Sequence, residues 1–402
     1  MQLALDAATE ARLDRIRELG RSAIRPLGLE ADRLGRPTPP DHPFFQALVD
    51  LGLGRTRLSG DSAGAGAASD GAPEGAAARA GSSLAVLCQA EEMSYWDRGV
   101  AVSFPGPGLG EAPLLAMGTA EQKERFLGPF RSPDRPRWAS FAMTEPGAGS
   151  DVAAIRTHAR REAGGEFWVL NGAKSFAANA SRADWIAVWA TVDPALGRAG
   201  HRCFVVERGT PGLGDFQIER KMGLKAYEST SFTLRDCQVP GDNLLGGEAH
   251  YQRRAGFQGA MRSFNATRPT VAAMAVGMGR AALDETLRFA REQGLLGEAR
   301  VRDRLERVRR KLRAARLLCW RAAWLADRRV PNMVEASMAK AVAPAVALEA
   351  AWLGMDVLGL VGGRGDHLLE KLFRDAKAMD IVEGTGQIQR LVMARHLVDL
   401  PR

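Results

Sequence analysis

Cysteine and long apolar runs are both scarce in this chain of 402 residues. The four cysteines are widely spaced, at Cys88, Cys203, Cys237 and Cys319. Such spacing offers neither a metal-ligand pair nor a disulfide framework, so we expect no metal site and a reducing, cytoplasmic location. The N-terminal stretch soon turns charged, and no apolar run approaches the roughly 18 residues of a membrane helix, so we expect neither a signal peptide nor a membrane span.

A dinucleotide-binding fingerprint is also lacking, because no Gly-x-Gly-x-x-Gly follows a strand pattern and opens a helix. Any dinucleotide must therefore be held in another way. The formal net charge is +8, and the excess lies mostly in the stretch 300–316. Aromatic residues are not interleaved with these arginines, which argues against a nucleic-acid partner. The remaining composition, 46% hydrophobic and 25% charged, is that of an ordinary globular protein with two or three domains.

Hydrophobic periodicity divides the chain into three blocks and predicts an α+β fold. Residues 1–135 predict an N-terminal helical domain, interrupted at 60–83 by a Gly-, Ala- and Ser-rich surface loop. Residues 136–245 predict a small β-barrel or sandwich domain, with strands near 138–143, 166–170, 185–191, 203–207 and 231–234. Residues 246–402 predict a C-terminal four-helix bundle, with long periodic segments at 268–293, 300–327 and 333–358.

A lone carboxylate near the C-terminus is the first candidate for chemistry. Glu383 stands between apolar residues and glycine, in the segment Ile-Val-Glu-Gly-Thr-Gly-Gln-Ile-Gln-Arg at 381–390. Poor solvation should raise its pKa above the roughly 4.3 of a free glutamate and make it a stronger base. The alternative is a helix N-terminus, where Glu383 complements the helix dipole and Thr385 caps the segment 387–396.

Four further segments carry a family resemblance. They read Phe-Ala-Met-Thr-Glu-Pro-Gly-Ala-Gly-Ser-Asp-Val at 141–152, Asn-Gly-Ala-Lys at 171–174, Arg-Ala-Asp-Trp at 182–185 and Arg-Asp-Ala-Lys at 374–377. With the Glu383 segment, their order and spacing resemble the acyl-CoA dehydrogenase family from about residue 85 to residue 398. A glycine-rich loop alone would be weak support, but several motifs in the right order are specific.

The resemblance implies a flavin enzyme that dehydrogenates an acyl-CoA or acyl-carrier-protein thioester between its α and β carbons. Glu383 would be the catalytic base, and FAD would accept the hydride at N5. The FAD-binding residues implied are Phe141, Met143, Thr144, Gly149, Ser150, Phe176, Ala178, Gln293, Gly362, Gly363, Thr385 and Gln387. The substrate-binding residues implied are Ser150, Asn265, Arg268 and Gly384. For Arg268, an ion pair at a helix start is the alternative role.

The family also implies an electron-transfer flavoprotein as electron acceptor and a homotetramer in which a neighbouring subunit holds part of each FAD. Several residues depart from this pattern. Ala178 stands where a threonine hydroxyl usually contacts the flavin, the segment 293–297 lacks the usual arginine, and Gly359 replaces a glutamine. These losses suggest a hetero-oligomer whose different subunit supplies the missing arginine. Two rival readings stay open, a flavin-dependent oxygenase or oxidase and a flavin-free structural subunit.

Two features concern ligands rather than chemistry. The segment 300–316 predicts an amphipathic helix with a basic outer face, which is either a solvated surface or attracts a polyanion. The polyanion would be coenzyme A, a neighbouring flavin pyrophosphate or an acidic carrier protein. Val382 precedes the base where many relatives have tyrosine, so the pocket would accept a branched or cyclic acyl group. Tyr227 and Glu228 are unusual for the family and are interpreted as surface residues.

Overall fold

The structure, a computed structural model, describes residues 5–56, 82–252 and 256–398, and in the last stretch it describes side chains from residue 267 onward. Most of the predicted surface loop at 60–83 lies outside these residues. Of the predicted site residues, the side chain of Asn265 lies outside them too. The domain boundaries at 135 and 245 stay a prediction, although the strands described below all fall between residues 139 and 240.

The N-terminal part consists of helices, as the periodicity predicts. They are α1 (Ala7–Leu19), α2 (Arg25–Leu34), α3 (Pro43–Asp50), α4 (Ser83–Ser103), α5 (Glu111–Met117) and α6 (Ala120–Leu127). A π-helical turn, Gly20–Ile24, joins α1 to α2. Glycine is required at its start, because a Cβ on Gly20 would lie 2.2 Å from the Trp96 ring. Side-chain caps fix several helix starts, and Thr119 with Gln122 forms a capping box on α6.

Helix α4 is broken at Asp97, and this break matters for the site. Asp97 has φ −165° and ψ 117°, which is extended rather than helical backbone. Its carboxylate then accepts a hydrogen bond from the Val100 N–H at 2.9 Å, as an N-cap residue does. The last turn of α4 is therefore a separately capped helical segment that begins at Arg98. A side chain at this position leaves the helix in a direction that an unbroken α4 would not give.

The middle part is a curled seven-stranded sheet. The strands are β1 (Ala139–Ala142), β2 (His158–Arg161), β3 (Phe167–Ala178), β4 (Trp185–Thr191), β5 (His201–Glu207), β6 (Leu213–Ile218) and β7 (Ser229–Pro240). Their order is β1-β4-β2-β3-β7-β6, with β5 paired to β4. Every residue of β4 is buried, since both faces of this central strand are covered. All five predicted strands are present, and β3 and β7 are longer than predicted.

The C-terminal part is a helical bundle. It contains α7 (Gly247–Gln252), α8 (Gly256–Glu292), α9 (Ala299–Asp327), α10 (Met333–Leu358), α11 (Leu368–Ile381) and α12 (Gly386–Leu397). The three predicted long helices are confirmed as α8, α9 and α10. Within the described residues, α10 alone is long and apolar enough to cross a membrane, but over half of its apolar window, 56%, is buried inside the protein. It packs against α8, α9, α11 and α12, so it is a core helix of the bundle.

A buried ion cluster connects the three parts. Lys371 of α11 donates a hydrogen bond to Asp97 of α4 at 2.6 Å and another to Asp375. Asp375 also accepts a hydrogen bond from the backbone N–H of Leu224, in the loop that precedes β7. All three charged side chains are at most 3% exposed. The break in α4, the start of α11 and the loop before β7 are therefore fixed to one another.

Candidate active site

The backbone at Glu383 has an unusual conformation. Glu383 has φ +53° and Gly384 has φ +89°, so two consecutive residues of the α11–α12 connection are left-handed. A non-glycine residue in this region is uncommon and is strained in the absence of compensating contacts. Thr385 then caps α12, with its side-chain oxygen accepting a hydrogen bond from Ile388 N–H at 3.4 Å. The predicted capping role of Thr385 is confirmed, but Glu383 lies two residues before this cap and its side chain is directed elsewhere.

The carboxylate of Glu383 lies in a desolvated, positively charged surrounding. Burial raises the pKa of Glu383, while a hydrogen bond from Thr267 and the charges of Arg98, Lys340 and Arg268 lower it by less. The sequence-based expectation of a raised pKa is therefore confirmed. Among the described residues, its Oε2 atom is buried with no hydrogen-bond partner. A desolvated carboxylate oxygen that is free to accept a proton has the properties of a general base.

Arg268 lies beside this carboxylate, well inside α8. Its side chain is 7% exposed, burial lowers its pKa, and the charge of Glu383 opposes that shift. The alternative of an ion pair at a helix start is wrong, because α8 begins at Gly256, more than three turns earlier. The Nε atom of Arg268 is buried without a hydrogen-bond partner among the described residues. This Nε–H group is thus available to a bound ligand beside Glu383.

Sequence reasoning missed the contribution of Arg98. Burial lowers the pKa of Arg98, and the nearby charges that oppose this are those of Tyr227 and Glu383. Its Nε atom is buried with no partner among the described residues, although part of the side chain remains accessible. Arg98 therefore lies close to the Glu383 carboxylate, on the last segment of α4. The signal in the sequence was Asp97, a helix-capping residue followed by Gly99 inside an otherwise helical segment.

The interpretation of Tyr227 and Glu228 as surface residues is wrong. Burial raises the pKa of Tyr227, and the Nζ of Lys221 lies 3.1 Å from its ring centroid. Glu228 is 5% exposed and accepts a hydrogen bond from Arg182. Tyr227 is thus partly buried and Glu228 buried, immediately before the start of β7. Nothing in the sequence pattern indicated this, because the partners come from distant segments.

The predicted flavin loop lies at one face of the sheet. Phe141 lies in β1, Met143 is buried, and Gly149 and Ser150 are exposed. The Thr144 carbonyl accepts a hydrogen bond from Ser175 N–H at 2.9 Å, which places the loop against the end of β3. Phe176 follows with φ +60° and a ring that is 64% exposed. The strand therefore presents an aromatic ring to the space beside the loop.

Two contacts connect this face to the carboxylate. Asn179, next to the predicted residue Ala178, donates a side-chain hydrogen bond to the Val102 carbonyl at 2.8 Å. Val102 lies one helical turn after Arg98 on the last segment of α4. The backbone N–H of Asn179 also bonds to the Glu228 carbonyl, immediately after Tyr227. The end of β3 and Glu383 thus both lie near the last segment of α4.

Other predicted residues are not brought close to Glu383 by any contact among the described residues. Gln293 follows the end of α8, and Gly362 and Gly363 follow the end of α10. Gly362 is buried and Gly363 exposed, while Gln387 is exposed at the start of α12. Gly384 adjoins the base. The resemblance implies that the intersubunit residues hold the FAD of a neighbouring subunit. They are therefore expected to lie away from the Glu383 of their own subunit.

The basic face of α9 is partly neutralised within the chain. Arg304 pairs with Asp356 at 2.6 Å, and Arg316 pairs with the buried Glu91 at 2.9 Å. Lys311 contacts Glu349 of α10 at 2.7 Å. These pairs support the interpretation of a solvated, structural face for part of the helix. The four cysteines are free and buried, and in the described ranges no group of three or more metal-binding side chains comes together.

Fold and site together define an oxidoreductase. Residues 140–237 match the family described as "Acyl-CoA dehydrogenase, middle domain", and residues 254–398 match "Acyl-CoA dehydrogenase, C-terminal domain". The short-chain specific acyl-CoA dehydrogenase of Bos taurus is 37% identical over 291 residues, which are 71% of this chain and 68% of that protein. The chain belongs to the acyl-CoA dehydrogenase family.

Solved structures agree over the whole chain. Butyryl-CoA dehydrogenase from Megasphaera elsdenii superposes with a TM-score of 0.86 at 28% identity, covering 99% of this chain and 100% of that one. A glutaryl-CoA dehydrogenase in complex with glutaryl-CoA superposes with a TM-score of 0.85 at 26% identity, covering 100% of this chain and 98% of that one. The acyl-CoA dehydrogenase-like fold predicted from the sequence is confirmed.

Proposed function

We propose that this enzyme removes hydrogen from the α and β carbons of an acyl thioester, with Glu383 as the base that takes the α-proton. The observation that carries the proposal is the desolvated Glu383 carboxylate, whose Oε2 is buried without a partner among the described residues. Geometry and raised basicity coincide in this one group. A general base needs both, since it must reach the proton and hold it.

The surrounding residues support this role. Thr267 hydrogen-bonds to the carboxylate, and the charges of Arg98, Arg268 and Lys340 favour its ionised form before the proton is taken. The proton would then move to the free Oε2 atom. Arg268 stands beside the base and would stabilise negative charge that develops on the thioester oxygen as the α-proton leaves. FAD, when bound, would supply the acceptor for the hydride from the β carbon.

The residues at the sheet face fit a flavin. Phe176 presents an exposed ring beside the loop that carries Thr144 and Ser150, whose hydroxyls can serve as hydrogen-bond partners. Gly147 and Gly149 leave open space where a Cβ would stand, so a planar ring can approach the backbone closely. Ala178 offers no hydroxyl. An oxygenase or oxidase is compatible with that one difference, because it changes the surroundings of the flavin rather than the base.

For the acyl group, we infer an anionic or strongly polar far end. Arg98 lies near Glu383 from α4, its Nε lacks a partner among the described residues, and Tyr227 lies beside it. A buried guanidinium nitrogen without a hydrogen-bond partner is unfavourable, and a carboxylate on the substrate would relieve this cost with a charge-assisted hydrogen bond. The structurally similar enzyme in complex with glutaryl-CoA acts on an acyl group that ends in a carboxylate. Dicarboxylic acyl-CoAs are therefore the first substrates to test.

Assembly and electron transfer are also proposed. Large apolar side chains remain exposed on α10 to α12, among them Trp352 at 61%, Leu360 at 93% and Leu397 at 62%. Apolar surface of this kind is typical of a subunit interface, so we propose a homotetramer. A hetero-oligomer is the alternative for the segment 293–297, which lacks the arginine. An electron-transfer flavoprotein is the proposed acceptor, and the cytoplasm the proposed location.

The test uses the purified protein with its bound flavin. Anaerobic addition of acyl-CoAs should bleach the flavin absorbance, and Glu383→Gln should reduce the rate of bleaching by about 10³-fold or more, because the variant has no base at this position. A flavin-free preparation would favour the structural-subunit reading. Oxygen consumption with retained product formation would favour the oxidase. Bleaching of Glu383→Gln at the wild-type rate would refute the assignment of the base.

The substrate inference has its own test. Glutaryl-CoA and the uncharged valeryl-CoA should be compared on the wild type, on Arg98→Met and on Arg98→Lys. We expect Arg98→Met to lose roughly 10- to 100-fold more in kcat/KM for glutaryl-CoA, as for a lost charge-assisted hydrogen bond, than for valeryl-CoA, for which only the effect of Arg98 on Glu383 is lost. Arg98→Lys should retain part of the preference. Equal losses for both thioesters would mean that Arg98 acts on Glu383 and not on the substrate.

A further inference from the structure

The middle of α10 carries a lysine in the core of the bundle. Lys340 is fully buried, at 0% exposure, and lies among alanines that pack α10 against α8. Its Nζ donates a hydrogen bond to the Gly384 carbonyl at 3.2 Å. Lysine is almost never fully buried without a specific partner. The partner here is the backbone of the residue that follows the proposed base.

A second buried side chain holds the same backbone. Gln389 of α12 is also 0% exposed. Its side-chain amide donates to the Gly384 carbonyl at 3.1 Å and lies 3.5 Å from the Glu383 carbonyl. The two carbonyls of the left-handed pair are therefore held from two helices, α10 and α12. Both contacts depend on the left-handed conformation, because another backbone conformation would direct these carbonyl groups elsewhere.

The charges around Glu383 come from several elements. Arg98 faces it from α4, Arg268 from α8 and Lys340 from α10, while Asp380 of α11 lies near Lys340. Burial lowers the pKa of Lys340 to about 8, and the charges of Asp380 and Glu383 oppose that shift. Lys340 is therefore largely protonated at neutral pH. Among these cations it is the only one whose side chain also bonds to the backbone of the base, as far as the described contacts extend.

We propose that Lys340 and Gln389 are positioning residues for Glu383: both hold the Glu383–Gly384 backbone left-handed, and Lys340 in addition keeps a positive charge beside the carboxylate. The proposal rests on the proposed role of Glu383 as the base. The two residues have different roles. Gln389 acts through geometry alone, whereas Lys340 acts through geometry and charge.

The division gives a test with different outcomes for the two residues. We would measure the rate of acyl-CoA-dependent flavin bleaching against pH for the wild type, Lys340→Met and Gln389→Met. Both variants should lower the maximal rate by 10-fold or more. Lys340→Met should also move the acid limb of the pH–rate profile, where the rate falls at low pH, to higher pH, because loss of a cation raises the pKa of the base. Gln389→Met should leave that midpoint unchanged, since a neutral group is exchanged for a neutral group.

Matched variants separate positioning from simple destabilisation. Lys340→Arg keeps a cation and should restore the wild-type acid limb. Lys311→Met removes another lysine that contacts α10, through the exposed Glu349, and should change neither rate nor midpoint. Flavin content and melting temperature are measured for each protein as purified. If Lys340→Met does not fold, Lys340→Gln is measured in its place.

A readout that does not depend on turnover completes the test. The melting temperatures of Lys340→Met, Glu383→Gln and the double variant form a double-mutant cycle at neutral pH, and a non-zero coupling is expected. A wild-type acid limb in Lys340→Met, or additive melting temperatures in the cycle, would overturn the role of its charge. An unchanged rate in Gln389→Met would overturn the geometric role. Failure of the wild type to bleach with any acyl-CoA would instead refute the proposed function.

Discussion

Replacing Glu383 by glutamine is expected to stabilise the folded protein at alkaline pH while removing its base. One oxygen of the carboxylate is buried with no partner among the described residues. Leaving a buried polar group unsatisfied costs about 1–3 kcal/mol, and more for a charged group. The cations Arg98, Arg268 and Lys340 offset part of this cost. For a neutral amide of the same shape, we therefore expect a net gain of about 1 kcal/mol.

The sign of the pH dependence follows from the raised pKa of Glu383. Because burial raises this pKa, the folded protein keeps the proton to a higher pH than the unfolded chain does. Glu383 therefore contributes stability below its unfolded pKa of about 4.3, and this contribution is lost as the pH rises through the folded pKa. The glutamine variant does not titrate. Its advantage should be absent at about pH 4 and complete well above the folded pKa.

Thermal melting of flavin-loaded protein across this pH range measures the effect. A gain of about 1 kcal/mol corresponds to a rise in melting temperature on the order of 2 °C for a chain of this size. Glu166→Gln, at an exposed glutamate in the turn before β3, serves as the control for the change of charge. A difference between Glu383→Gln and the wild type that is the same at every pH would refute the reasoning. So would a variant that melts below the wild type at about pH 8.

Three further changes test the backbone and the ion cluster. Gly384→Ala places a Cβ at φ +89°, 2.7 Å from a side-chain amide, and should slow flavin bleaching about 10-fold, while Gly164→Ala, in open space, should not. Equal rates for both alanine variants would contradict this. Asp97→Ala removes a partner of buried Lys371 and should lower the unfolding free energy by about 3 kcal/mol in urea; a loss below about 1 kcal/mol would mean that the cluster contributes little. Thr385→Ala removes the cap of α12 and should cost about 1 kcal/mol in the same assay, unless water replaces the hydroxyl.

The sequence predicted what local pattern controls. The long helices and five strands follow from apolar spacing, and β4 was found because all its residues are buried. The edge strand β6 was missed since its side chains are largely exposed and lack alternation. Strand β2 was missed because His158, Arg160 and Arg161 mask its single buried position, Ala159. Strands that have one solvent-exposed face and a polar composition are difficult to predict from a single sequence.

The candidate site divides in the same way. Glu383 was found because its segment is distinctive, but the burial that raises its pKa comes from tertiary packing, since the neighbouring Ile381 is 57% exposed. Arg98 and Lys340 were not found, since each acquires its surroundings only through tertiary packing. Separation in sequence hides such neighbours: Lys340 is 44 residues from the carbonyl it contacts. The resemblance named residues for the flavin and Arg268 for the substrate, but it did not indicate that Arg98 and Lys340 also lie near the base.

The cluster of Asp97, Lys371 and Asp375 has a consequence for how the molecule can come apart. One carboxylate belongs to the helix that ends in Arg98, the ammonium belongs to the helix that leads to Glu383, and the loop before β7 closes the set through Leu224. Moving any one of these segments away would leave a charged group without its partner in an apolar interior. We therefore expect a single cooperative unfolding event, and a fragment that carries the sheet alone should neither retain flavin nor survive proteolysis. Catalytic competence and structural integrity would then disappear together on heating.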